Sequence, residues 1–125
     1  MFHFWLNGGP AAERLSAIDR EATVHHEGPM ALVVFPAGGG RAAVPGATLS
    51  DDVVQMPAMK MAEDGRRLIV RLFEPTGVRR STTLAIPSLG VSAELALSPF
   101  EVRTLAVDLA NGELYQTDLL EQREP

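Results

Sequence analysis

The sequence predicts a mostly β protein, an antiparallel β-sandwich with one short helix near the N-terminus. Three observations carry this. From Thr48 onward, apolar-rich stretches are separated by turn signals every eight to twelve residues, the rhythm of a sandwich or barrel. Two of those turns hold an acid-Gly or Asn-Gly pair, Asp64-Gly65 and Asn111-Gly112, whose glycines supply the positive φ of tight hairpins. Only one segment, Pro10 to Ala22, spaces its apolar residues (Leu15, Ile18, Ala22) at three and four behind a proline suited to a first helical turn.

Taken in order, the chain opens on "MFHFWLNGG", an aromatic cluster that alternates as a strand would. Phe2 and Phe4 then share one face, His3 and Trp5 the other. After the helix, "MALVVF" (Met30 to Phe35) is a continuous apolar run closed by Pro36 and Gly38 to Gly40, and is expected to be a buried strand followed by a turn. Next come "DVVQMPAMKMA", "LIVRLFE", "VRRSTTLAI", "VSAELAL", "EVRTLAVDL" and "ELYQTDLL", each ended by a turn. In "LIVRLFE", Leu68, Val70 and Leu72 form a core face, and Ile69, Arg71 and Phe73 the opposite one. Arg71, Glu101 and Arg103 interrupt apolar rows, and are expected to form a cross-strand charge ladder on a solvated face if their strands are neighbours.

The 125 residues fit one domain, 1–125, able to bury a core without metals or disulfides. A net charge of -5, with Lys60 the only lysine among 11 basic residues, excludes a broad cationic surface for nucleic acid. The apolar N-terminus lacks a basic leader and is broken at Asn7-Gly8-Gly9, so neither a signal segment nor a membrane span is expected. These features, with the arginine and alanine bias, predict a soluble, cytoplasmic, bacterial protein.

No pattern of catalysis emerges. Cysteine is absent, which removes thiolate nucleophiles and thiolate metal sites. His25 and His26 are adjacent and belong to no HxH or HExxH motif, so no metal site is expected; the ordinary reading is a polar loop after the helix. Gly38 to Gly40 lacks the spacing and lysine of a phosphate loop. Asp51-Asp52 and Glu63-Asp64 are sequence neighbours and poorly placed for paired-carboxylate glycosidase chemistry. Candidate ligand-binding or docking residues are therefore the aromatic ones: Phe2, Phe4, Trp5 and Tyr115.

The order and spacing of "MKMAEDGRRLIVRLFEPTG", "TTLAI" and "LSPFEVRTLAV" resemble the C-terminal β-sandwich region of the glycoside hydrolase family 38 α-mannosidases, most specifically over Asp51 to Asp108. In many relatives an acidic "DLLE" element lies between the two motif strands; here it is Asp118 to Glu121, so the last strand is expected to pair differently. The resemblance implies a non-catalytic domain. Family members keep their zinc ligands and aspartate nucleophile in an N-terminal α/β domain, none of which is in this sequence, so no catalytic residue or cofactor carries over. The implied parent activity is zinc-dependent retaining hydrolysis of α-mannosides. The implied partner is the catalytic glycosidase domain; self-association, an independent carbohydrate-binding module and a structural interaction domain are the alternatives. Arg71 and Glu74 are expected to be structural, Glu74 closing its strand before Pro75-Thr76-Gly77.

Overall fold

The computed structural model describes residues 3–28, 30, 31, 33, 39 and 44–123. Two compact units are distinguished, residues 1–32 and 33–125.

The first unit is built around one helix, α1 (Ala11–His26). Pro10 stands at its N-cap and accepts the first intrahelical bond, Arg14 N to Pro10 O at 3.0 Å. The helix runs one turn beyond the Ala22 predicted from apolar spacing, so His25 and His26 lie in its last turn and not in a loop. Nothing in "TVHH" breaks a helix, and Gly28-Pro29 follow after the C-cap residue Glu27. Its apolar residues are not a buried stripe: Leu15 and Ile18 are exposed, as is every N-terminal aromatic described. His3, Phe4 and Trp5 belong to no strand, so the predicted alternation of faces does not hold there. Phe2 lies outside the described residues. Of the predicted strand Met30 to Phe35, the described members Met30, Ala31 and Val33 are not in a strand, and Met30 and Val33 are exposed. A short run without alternation can be apolar without being paired.

The second unit is a β-sandwich. Its strands are β1 (Thr48–Leu49), β2 (Gln55–Met61), β3 (Arg67–Phe73), β4 (Arg80–Ile86), β5 (Val91–Leu97), β6 (Val102–Asp108) and β7 (Leu114–Thr117). One antiparallel sheet has the order β1-β4-β5, the other β2-β3-β6-β7. The Asp64-Gly65 turn joins β2 to β3 with Gly65 at φ 66°, and Asn111-Gly112 joins β6 to β7 with Gly112 at φ 73°, as the sequence predicts. Pro57 lies inside β2, where the ladder to β3 shifts register between Gln55 and Ala58. β2 is an edge strand, the one setting in which a residue without an N–H is tolerated.

The main core lies between the sheets. Val70 and Leu72 of β3, Leu105 and Val107 of β6, Leu84 and Ile86 of β4, and Val91 and Leu97 of β5 form one buried cluster, with Leu68 packed partly against it. Directly opposed residues of an antiparallel pair share a face. The register sets Val70 against Leu105 and Leu68 against Val107, so these belong to the inner face. The outer face of the four-stranded sheet is not bare either: Ala62, Ile69 and Ala106 form a second buried cluster, with Tyr115 against it.

Because Leu72 has no exposed surface, Leu72→Ala leaves a cavity between the sheets and is expected to cost about 2–5 kcal/mol. Met59→Ala, on a side chain 45% exposed at the β2 rim, is expected to cost under about 1 kcal/mol. Urea unfolding of both variants measures the contrast.

Candidate functional site

The most distinctive polar site grows from "EPTG". Pro75 has no N–H to offer, and the turn that follows points three backbone donors back at Glu74, the residue just after β3. Glu74 has no exposed surface. Its Oε1 accepts from the Thr76 amide at 2.9 Å and from the Thr76 hydroxyl; its Oε2 accepts from the amides of Gly77 at 2.7 Å, Val78 at 3.2 Å and Phe100 at 3.0 Å. The Arg80 guanidinium lies 3.4 Å from Oε1 and also reaches Asp51 at 3.3 Å. Asp51 in turn accepts from the amides of Val53 and Val54. Burial by itself would raise the Glu74 pKa; the Thr76 hydroxyl and the Phe100, Thr76 and Gly77 amides outweigh it and hold the value at about 2.

The second turn is "LSPFE". Glu101 accepts from Ser98 N at 2.6 Å and pairs with Arg103 at 2.6 Å, while Glu74 N donates to Glu101 O at 3.0 Å. Phe100 sits at φ 57°, an unusual backbone for a bulky residue, and its amide is thereby turned toward Glu74. Its ring lies over Gly77: a Cβ there would meet the ring at 2.6 Å, and Gly77 itself is at φ 74°. Glu74, Gly77 and Phe100 thus form one lock between two turns. Every donor aimed at the carboxylate belongs to the fold, so Glu74 is arranged to hold structure and not to exchange a proton with a substrate.

The expected ladder of Arg71, Glu101 and Arg103 does not form. The register sets Arg71 opposite Thr104 and Leu72 opposite Arg103, so Arg71 and Arg103 emerge on opposite faces. Glu101 and Arg103 pair with each other; Arg71 donates to the Thr104 hydroxyl at 3.2 Å and to Leu119 O at 3.4 Å. Tyr115 packs against the outer cluster, and the Arg123 guanidinium covers its ring at 4.4 Å. That ring is no open platform for a sugar.

In the first unit Trp5 stacks between His3, at 6.0 Å between centroids, and His25, at 4.8 Å. Arg14 pairs with Glu21 at 2.6 Å and Asn7 donates to Glu21 at 3.0 Å, tying the N-terminal segment to the helix. Between them is an open cavity of about 720 Å3, with Phe4, Trp5, Ile18 and His25 in its lining. Phe4 is 87% exposed and Trp5 57%. Among the described residues, no group of three or more His, Cys, Asp or Glu side chains is placed to hold a metal ion.

Sequence reasoning assigned Glu74 to the end of its strand but missed the lock. The local signal is present, an acid two and three residues before free amides in a turn that starts with proline; the Phe100 amide, 26 residues on, has no such signal.

The model of the glycosyl hydrolases family 38 C-terminal beta sandwich domain matches residues 54–125, from the residue before β2 onward. No curated protein and no solved structure gives a significant match.

Since Glu74 is depressed from its ordinary 4.5, its stabilising contribution is complete above about pH 4.5 and is lost as pH falls toward about 2. The urea midpoint is expected to drop across that window. Glu74→Gln should lower it at pH 7 and make the acid slope shallower without flattening it, because Asp51 and Glu101 are also held low by their amide and arginine partners. Gly77→Ala, which combines positive φ with the Phe100 clash, should be destabilised at every pH.

Proposed function

The chain belongs to the glycosyl hydrolase family 38 C-terminal β-sandwich domain family, and on that premise we propose that it is the non-catalytic C-terminal domain of an α-mannosidase-like enzyme, packing against and assisting a catalytic domain. The observation that carries this reading is the use of the family's motif residues. "EPTG" and "SPFE", the most distinctive parts of the resemblance, are consumed in the lock around Glu74 and leave no carboxylate pair free for acid–base work at a glycosidic bond.

The zinc of the implied parent reaction does not fit the described residues here. In this reading its ligands, the nucleophile and the retaining hydrolysis of α-mannosides belong to the catalytic domain. A bacterial, cytoplasmic setting is part of the same proposal. What this chain supplies is a β-sandwich together with exposed aromatic side chains in the first unit; Phe4 and Trp5 are the candidates for contact with the catalytic body. An independent carbohydrate-binding role gains no support from Tyr115, whose ring is covered.

Purified alone, the chain is expected to release no nitrophenol from an aryl α-mannoside, with or without added zinc. Mixed with a family 38 catalytic portion lacking its own C-terminal sandwich, it is expected to sediment as a complex and to raise that portion's melting temperature. Trp5→Ser should weaken the complex while leaving the sandwich intact. Hydrolysis by the chain alone, or binding to mannan without any association with the catalytic portion, would refute the proposal.

A further inference from the structure

The segment that follows β7 crosses the outer face of the four-stranded sheet. Asp118 to Gln122 closes on itself: Asp118 N donates to Gln122 O at 2.9 Å, Gln122 N to Asp118 Oδ1 at 2.8 Å, and Glu121 N to Asp118 O at 3.1 Å. Three cations of β2 and β3 grip it. Lys60 pairs with the Glu121 carboxylate at 2.6 Å, Arg67 donates to Glu121 O at 2.8 Å, and Arg71 donates to Leu119 O at 3.4 Å. These cations surround one residue: Lys60 is the partner of Ile69 across the ladder, and Arg67 and Arg71 lie two positions to either side of it on the same face. Ile69 is 1% exposed on the side of the sheet away from the main core.

This closure differs in kind from the packing elsewhere in the sandwich. The strap's own apolar side chains do not fasten it, since Leu119 is 63% and Leu120 78% exposed. Glu121 takes φ 65°, a backbone that L side chains rarely adopt. Thr117, where the strap begins, is buried, and its hydroxyl has no partner among the described residues. The closed state thus combines a strained residue and an unmatched hydroxyl with a grip made by charge, and charge is what dissolved salt screens. The core between the sheets and the Glu74 lock have no such dependence on exposed ion pairs.

We propose that Asp118–Glu121 is an electrostatic latch, held against the four-stranded sheet by Lys60, Arg67 and Arg71, which opens locally as ionic strength rises while the sandwich stays folded.

Amide exchange followed by NMR at constant pH tests this, with Asp118, Glu121 and Gln122 as strap reporters and Gly77 and Phe100 as references in the Glu74 lock. Raising salt from about 0.02 M to about 0.5 M, which shortens the screening length from about 20 Å to under 10 Å, is expected to speed strap exchange about two- to fivefold and leave the references unchanged. Lys60→Ala, at a side chain half in solvent, should speed strap exchange by a similar factor at low salt and weaken the salt response; Glu121→Gln should reproduce it. Strap amides that ignore salt or both variants, or that exchange only together with Gly77 and Phe100, overturn the latch.

Discussion

A carboxylate with no exposed surface stays ionised only if enough donors are fixed around it, and meeting that demand at Glu74 shapes the two turns that approach it. The "EPTG" turn must present the amides of Thr76, Gly77 and Val78 on one side, and the "SPFE" turn must bring the Phe100 amide to the other. Gly77 has to be a glycine because the Phe100 ring occupies the space of a side chain, and Phe100 has to accept positive φ because its amide is needed. Removing one donor from such a site leaves a buried charge partly unmatched, which is why the members are better regarded as one unit than as separate bonds.

Family membership and the lock illuminate each other. Motif residues in an enzyme family invite an assignment to catalysis, yet here the acid and the glycine of "EPTG" and the aromatic residue of "SPFE" are spent on each other. Their spacing is set by sandwich geometry: β4 and β5 lie in one sheet between them, and the chain must return to β6, beside β3, before Phe100 can reach Glu74. A mutation at any of the three would act first on the folding of this domain.

Much of the sandwich was legible because its signals are local. Leu68, Val70 and Leu72 alternate, Asp64-Gly65 and Asn111-Gly112 mark hairpins, and "PSLG" ends β4 in a short 3-10 turn with Gly90 at φ 65°. What failed depends on facts that alternation does not contain. Which residue of β6 lies opposite Arg71 is a matter of register, and a shift of one position separates a ladder with Arg103 from the observed contact with Thr104. The burial of Ile69 on the outer face goes with Ala106 and Tyr115, some forty positions later in the chain. "MALVVF" has no period at all, so its hydrophobicity could not say whether it is paired. The N-terminal aromatics alternate over too few residues to separate a strand from an irregular segment stacked on a helix.

Arg80 stands on β4, in the three-stranded sheet, while Glu74 follows β3 in the four-stranded one, and Asp51 lies on the link between β1 and β2. Apolar side chains pack almost equally well after a small slide or rotation of one sheet over another, because dispersion has little directional preference. A guanidinium held between two fixed carboxylates is far less forgiving. Arg80 therefore works as an alignment pin: it sets where one layer stops against the other, and the slippery interior fills in around that setting.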